Sequence, residues 1–251
     1  MLHNTTKLIH GSAEGPLDLP SASIDAVITS PPWNIGRNYY HADDNRTDKA
    51  YRAFLTRCFI ESYRLLCESG LLVVGIPEFT KHNGQVTYFP YLFETLLAPI
   101  GFERVAQSAW IKLAPNGQLH IGTRWIDGVT TASTIHSISE WFLVFGKRMS
   151  TAQRYLASEI WTVQVVKDDQ HPTTWPIDIA RFLVSKYSLP GQTILDPFMG
   201  VGTLGCAAVE GGRHFIGVDT SSDFIRVART RISRVQSSRD EINSVALNLH
   251  R

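Results

Sequence analysis

The chain has 251 residues, 43% of them apolar and 19% charged, enough apolar content to bury a substantial core in one globular domain. No apolar run approaches the roughly 20 residues of a membrane helix, and the N-terminus lacks the apolar stretch of a secretory signal, so a cytoplasmic protein with no membrane partner is expected. Its 24 basic and 23 acidic residues balance to +1, far from the excess of a protein that merely coats nucleic acid.

Taken in chain order, the pattern alternates strands and helices. A β-branched run, Ala26 to Thr29, stops at Ser30-Pro31-Pro32, because consecutive prolines continue neither a sheet interior nor a helix. Apolar positions from Tyr51 to Leu66 recur at helical spacing, with Thr47 or Asp48 as cap and Gly70 as stop, and a strand from Leu71 to Ile76 follows. That is a βαβ unit, whose strands should be parallel. The middle of the chain is less regular: a helix near Phe89 to Leu97, a strand near Arg104 to Leu113, turn-rich sequence over 114–134, and a strand near Glu140 to Phe145. Next, Pro176 opens a helix that ends at Pro190-Gly191, and a strand from Thr193 to Leu195 runs into Asp196-Pro-Phe-Met-Gly-Val-Gly202. A helix from Thr203 to Glu210, a strand from Phe215 to Val218 ending at Asp219, and a helix from about Ser222 to Val235 complete the pattern. The domain is placed at 1–238, and residues 239–251 read as a polar, frayed tail.

Two constellations carry chemistry. Residues Asp196 to Gly202 lie between a strand end and a helix start, where doubly wound sheets bind cofactors; Gly200 and Gly202 would give a ligand access to the backbone. Asp219, ending the next strand, can accept hydrogen bonds from both ribose hydroxyls of a nucleoside cofactor. A third glycine and a Gly-Lys-Ser/Thr sequence are both missing, which argues against dinucleotide and P-loop readings. The other constellation is Thr29-Ser-Pro-Pro-Trp-Asn34. Trp33 offers a stacking surface, while the Ser30 hydroxyl and a carbonyl beside proline can accept hydrogen bonds from an exocyclic amine.

Ser30-Pro31-Pro32-Trp33 resembles the catalytic motif of DNA amino methyltransferases, and Asp196 to Gly202 with Asp219 resembles their S-adenosylmethionine site. His171-Pro-Thr-Thr-Trp-Pro176 is similar to that family's third cofactor element, and Glu140 to Lys147 to its mid-chain strand. The resemblance spans about residues 8–235, with the catalytic motif ahead of the cofactor motif, the permuted order of the beta class. It implies a doubly wound, Rossmann-like α/β fold around a mostly parallel seven-stranded sheet. It implies catalytic roles for Ser30, Pro31, Pro32 and Trp33, and cofactor contacts from Asp196, Phe198, Gly200, Gly202, Thr203, Asp219, His171 and Thr173. A serine before Pro-Pro, where relatives carry aspartate, leans toward cytosine N4 over adenine N6. One departure is Gly11-Ser12, where the family often has Gly-Asp; Ser12 is a weaker acceptor than a carboxylate for the cofactor's adenine.

The resemblance makes DNA the partner, with the target base flipped out and with modest, salt-dependent affinity. A homodimer and a cognate restriction endonuclease are candidate partners. Residues 114–134, with Lys112 beside them, are the candidate for reading DNA sequence, since arginine and amide side chains make bidentate base contacts. Arg226, Arg229, Arg231 and Arg234 read as a solvated helix face, and His41 to Asp44 as a loop. Cys58, Cys67 and Cys206 read as reduced core residues, and no metal site is expected. The rival readings are adenine N6 as acceptor, an RNA or protein-amide methyltransferase, and a silent nucleoside-binding module.

Overall fold

The computed structural model describes residues 5–36, 44–82, 85–113, 139–147, 159–164 and 174–249. In chain order the elements are β1 (Thr6–His10), β2 (Ile24–Thr29), α1 (Asp48–Leu65), β3 (Leu66–Pro77), β4 (Phe79–His82), β5 (Gln85–Tyr88), α2 (Phe89–Leu97), β6 (Phe102–Leu113), β7 (Ser139–Lys147), β8 (Glu159–Gln164), α3 (Ile177–Tyr187), β9 (Thr193–Asp196), α4 (Thr203–Glu210), β10 (His214–Asp219) and α5 (Ser222–Leu249).

Among the described residues eight strands form one sheet in the order β1-β10-β9-β2-β3-β7-β6-β8, and β4 and β5 form a separate hairpin. Pairing is parallel from β1 across to β3; β7 is antiparallel to both β3 and β6, and β8 is parallel to β6. Burial alternates with the pleat, so successive residues feed opposite cores. Val27, Leu72, Val74, Leu143, Phe145 and Leu195 pack with α1 and α2 on one face. Ala26, Ile28, Val73, Phe142, Val144 and Ile194 pack with α3, α4 and α5 on the other. Strands buried on both faces explain the near-continuous apolar runs of β2 and β3.

The βαβ reading of the first unit agrees with the parallel β2–β3 pairing, and Thr47 caps α1 by accepting from the Ala50 N–H at 3.3 Å. Several expectations need correction. The helix stops at Leu65, short of Gly70, which lies inside β3: a Cβ at Gly70 would sit 2.8 Å from the Asp25 carbonyl on β2. Among the described residues the sheet has eight strands where seven were expected, with β1 and β8 at its two ends. The polar segment from 239 is helical as far as Leu249, because α5 continues through it and the Arg239 guanidinium donates to the Val209 carbonyl at 3.1 Å. Cys67 is half-buried on β3, whereas Cys58 and Cys206 are buried, and all three are free.

The strands that matter most are β9 and β2, neighbours in the sheet but far apart in the chain. From β9 the chain passes through α4 to β10 on one side; from β2 it passes through α1 to β3 on the other. Because α4 and α1 cover opposite faces, the loops leaving β9 and β2 part and open a crevice between them, the switch point at which open α/β sheets bind ligands.

Candidate functional site

Both loops of interest start at this crevice. Thr29, the last residue of β2 and fully buried, donates its hydroxyl hydrogen to Asp196 Oδ1 on β9 at 2.6 Å. The same oxygen accepts the Phe198 N–H at 3.1 Å. Asp196 is only 5% exposed, and its two partners are neutral. Burial is the main reason its carboxyl is pushed up to about 7, against the hydrogen bonds from Thr29 and Phe198. Such a buried carboxylate is suited to a cationic ligand group.

The loop after β9 is shaped by backbone contacts. The Met199 N–H donates to the Val218 carbonyl at 3.0 Å and the Gly200 N–H to Asp219 Oδ2 at 2.8 Å, tying the loop to β10. Asp219 Oδ1 accepts the Ser221 N–H at 2.8 Å, so both carboxylate oxygens are held by backbone donors and keep lone-pair capacity for a ligand. Burial raises the Asp219 carboxyl above the ordinary range, with the neighbouring His10 opposing it. The His10 imidazole donates to the Thr220 carbonyl at 3.0 Å, and the Gly11 N–H donates to the Asp219 carbonyl, which brings the end of β1 alongside.

Gly200 has φ +53° and Gly202 +76°, a region that favours glycine. For Gly202 the structure adds a steric reason: a Cβ there would lie 2.8 Å from the Ala228 Cβ of α5. The start of α4 at Gly202 is therefore packed closely against α5. Phe198 packs its ring 5.8 Å from that of Phe54 on α1. Thr203, buried at the start of α4, shares a 2.9 Å hydrogen bond with Thr174. The segment before α3 thus reaches the β9–α4 loop through Thr174; His171 and Thr173 lie outside the described residues, as do 114–134 and His41 to Asp43.

Ser30 to Trp33 follow Thr29 directly, with Pro31 buried and Ser30, Pro32 and Trp33 half-buried. The Tyr51 hydroxyl on α1 donates to the Pro32 carbonyl at 2.8 Å. Beyond Trp33 the chain is stapled to the segment before α1. Asp44 accepts the Asn34 N–H at 2.8 Å and the Ile35 N–H at 3.1 Å, and the Asn34 side chain exchanges two hydrogen bonds with the Arg46 backbone. Asn34 holds φ +56°, a left-handed conformation that asparagine tolerates. Sequence reading missed Tyr51, Asp44 and Thr29 as supports. Only the Asn-then-Asp chemistry around the loop signalled them. Among the described residues no group of three or more His, Cys, Asp or Glu is arranged to hold a metal ion.

A further group stands beside Trp33. The Lys112 ammonium on β6 lies 5.6 Å from the Trp33 ring centroid and 5.3 Å from that of Trp110, and 3.5 Å from Glu140 Oε2. Glu140 Oε1 accepts the Trp175 indole N–H at 2.6 Å.

Comparison with known proteins agrees with this layout. The N6/N4 methyltransferase family model, described as DNA methylase, matches residues 24–148 and 116–230. The Type II methyltransferase M.BglII of Bacillus subtilis is 24% identical over 243 residues, covering 84% of this chain and 64% of that protein, so the chain spans less than two thirds of that relative. The DNA adenine methyltransferase YhdJ of Escherichia coli is 24% identical over 248 residues, covering 90% of this chain and 82% of that one. Among solved structures, TTHA0409 of Thermus thermophilus, complexed with S-adenosyl-L-methionine, superposes with a TM-score of 0.67 at 24% identity over 92% of this chain and 94% of that one. The cytosine-N4-specific PvuII DNA methyltransferase superposes with a TM-score of 0.70 at 15% identity over 93% and 92%. The fold is that of these methyltransferases, and the chain belongs to the N6/N4 DNA methylase family.

Proposed function

We propose that the protein methylates an exocyclic amine of a DNA base, cytosine N4 in preference to adenine N6, with S-adenosylmethionine as donor. The carrying observation is the 2.6 Å hydrogen bond from Thr29 to Asp196, which sets the Ser30–Trp33 loop against the cofactor loop at one crevice. Relatives acting on both bases exist, as the names of YhdJ and the PvuII enzyme state. The preference for cytosine rests on Ser30, the serine before Pro31-Pro32, through the motif's resemblance alone.

The residues present fit the cofactor. The buried Asp196 carboxylate suits the positive charge of a sulfonium amino acid, and the lone pairs left on Asp219 suit ribose hydroxyls at a strand's carboxyl end. Phe198, Gly200 and Thr203 complete the loop, with His171 and Thr173 assigned by resemblance. The bound cofactor supplies an electrophilic methyl group on sulfur.

The chain's own work is positioning. An exocyclic amine is a poor nucleophile because its lone pair is delocalised into the ring. Ser30 Oγ and the Pro31 carbonyl accept its two N–H groups, favouring a pyramidal nitrogen and stabilising the positive charge that develops there. The Pro32 carbonyl is engaged by Tyr51, which stiffens the loop. Trp33 stacks on the flipped base. Held this way, the amine nitrogen would take up the methyl group that the cofactor would supply, leaving the thioether behind, while the surplus amine proton would pass to solvent.

In this reading the chain through the end of α5 forms one methyltransferase domain in permuted order, with 114–134 as the sequence-reading insertion. The Type II designation of the BglII relative supports pairing with a cognate restriction endonuclease. The test is transfer of labelled methyl from S-adenosylmethionine to mixed-sequence duplex DNA, to RNA and to protein in parallel. Label in DNA alone is expected; label only in RNA or protein would overturn the reading.

A further inference from the structure

Lysine is among the residues least often buried, because its ammonium is strongly hydrated. Yet the Lys112 side chain is 17% exposed. Its position on β6 follows from the pleat: Trp110 and Lys112 are two residues apart and share a face. Trp110 is paired in register with Glu140 of β7, which brings the carboxylate diagonally under the ammonium.

The surroundings are built to hold that charge. Glu140, 4% exposed, lies 3.5 Å from Lys112 Nζ through one oxygen and is fixed by the Trp175 indole through the other. The space for Trp175 exists because residue 75 on β3 is glycine; a Cβ there would overlap the Trp175 ring and come within 3.1 Å of Glu140 Oε1. Trp175 adjoins Thr174, which bonds Thr203 at the cofactor loop. Among the described residues the ammonium's partners are one carboxylate and the Trp33 and Trp110 rings. An ammonium has three N–H donors and no acceptor, so donor capacity is left over beside Trp33.

We propose that Lys112, anchored by Glu140 between Trp33 and Trp110, contacts the target base, donating a hydrogen bond to the ring nitrogen next to the methylated amine. This rests on the DNA methyltransferase reading above. Cytosine and adenine both present an acceptor nitrogen at that position, whereas thymine and guanine present an N–H, which a donor-only side chain rejects. Lys112 therefore selects cytosine and adenine together, while Ser30 bears on the choice between them.

The test uses the full chain and duplexes carrying the site mapped by methyl transfer, with the target base either natural or as its deaza analogue, in which that ring nitrogen is CH. Lys112→Met alone would leave Glu140 buried without its cation, so it is paired with Glu140→Gln, which keeps an acceptor for Trp175; Lys112→Arg is the conservative variant. Affinity for S-adenosylmethionine reports an intact fold. The wild type should bind the deaza duplex about tenfold more weakly than the natural one, the scale of one charge-assisted hydrogen bond. The double variant should lose about tenfold on the natural duplex and nothing further on the deaza duplex, and Lys112→Arg should stay within about threefold of wild type. An equal further loss in the double variant, or wild-type binding by it, overturns the proposal. So does a loss shared by target and non-target duplexes with a shallower salt dependence, the mark of a phosphate contact. Failure of the underlying reading shows separately, as no methyl transfer to DNA by the wild type, and it overturns this inference with it.

Discussion

Thr29 and Asp196, 167 residues apart in the chain, are joined by a buried 2.6 Å hydrogen bond at the point where β2 and β9 release their loops. The donor adjoins Ser30, and the acceptor opens the β9–α4 loop, the proposed cofactor loop. Thr29→Val keeps the shape and removes the donor, while Thr29→Ser keeps the hydroxyl. Loss of a hydrogen bond to a charged group is worth about 1.5–3 kcal/mol, so Thr29→Val should weaken cofactor binding roughly ten- to hundredfold. Thr29→Ser should remain near wild type. Calorimetric titration of the two variants with S-adenosylmethionine separates them.

Asp196 gives the apo protein a defined pH dependence. Its carboxyl sits at about 7 in the fold against 3.8 ordinarily, so as pH rises the unfolded chain releases its proton first. Stability falls between about pH 4 and pH 7 and levels off above, by at most about 4 kcal/mol from this group. Burial moves Asp219 in the same direction. Asp196→Asn should flatten the melting temperature between pH 5 and pH 8, at a cost in cofactor affinity. Parallel wild-type and variant curves would show that Asp196 titrates elsewhere.

Asp219→Ala should weaken S-adenosylmethionine binding by about ten- to hundredfold, the scale of losing hydrogen bonds to a carboxylate. The Gly200 and Ser221 N–H groups lose their acceptor as well, so the loop loosens along with the ligand contact. An unchanged dissociation constant by calorimetry would remove Asp219 from the cofactor site.

Gly202 and Gly11 differ in what a methyl group would meet. At Gly202 it combines a positive φ with a 2.8 Å approach to Ala228, whereas at Gly11 nothing lies within 4 Å. Gly202→Ala should cost about 2–4 kcal/mol and lower the melting temperature by roughly 5–10 °C, while Gly11→Ala should leave it almost unchanged. Differential scanning calorimetry checks the pair.

Elements with strong periodicity and clear punctuation were legible in the sequence: β2 ending at Pro31-Pro32, α4 from Thr203 to Glu210, and β10 ending at Asp219. The missed elements are those whose identity comes from tertiary pairing. β8 alternates half-buried and exposed residues, with Ile160 74% exposed, and β1 is five residues long and largely accessible. The end of α5 reads as a polar tail although Ile242, Val245, Ala246 and Leu249 recur at helical spacing in the sequence, and the Arg239 guanidinium also ties its start to the Val209 carbonyl. Within the site, motif residues could be named one by one, but the supports could not. Thr29–Asp196, Tyr51–Pro32 and Lys112–Glu140 each join elements that only the sheet order and helix packing bring together.

Ser30→Ala should lower the rate of methyl transfer about a hundredfold, since one positioned acceptor is commonly worth about 2.7–4 kcal/mol, and should leave cofactor affinity unchanged. Wild-type turnover by the variant would remove Ser30 from the chemistry.

The central claim is tested most directly by incubating the protein with labelled S-adenosylmethionine and mixed-sequence duplex DNA, then digesting the DNA to nucleosides and identifying the labelled one by mass spectrometry. The account predicts N4-methylcytosine. Label in N6-methyladenine would contradict the choice of base, and DNA without label would contradict the assignment of the crevice between β2 and β9 as a DNA methyltransferase site.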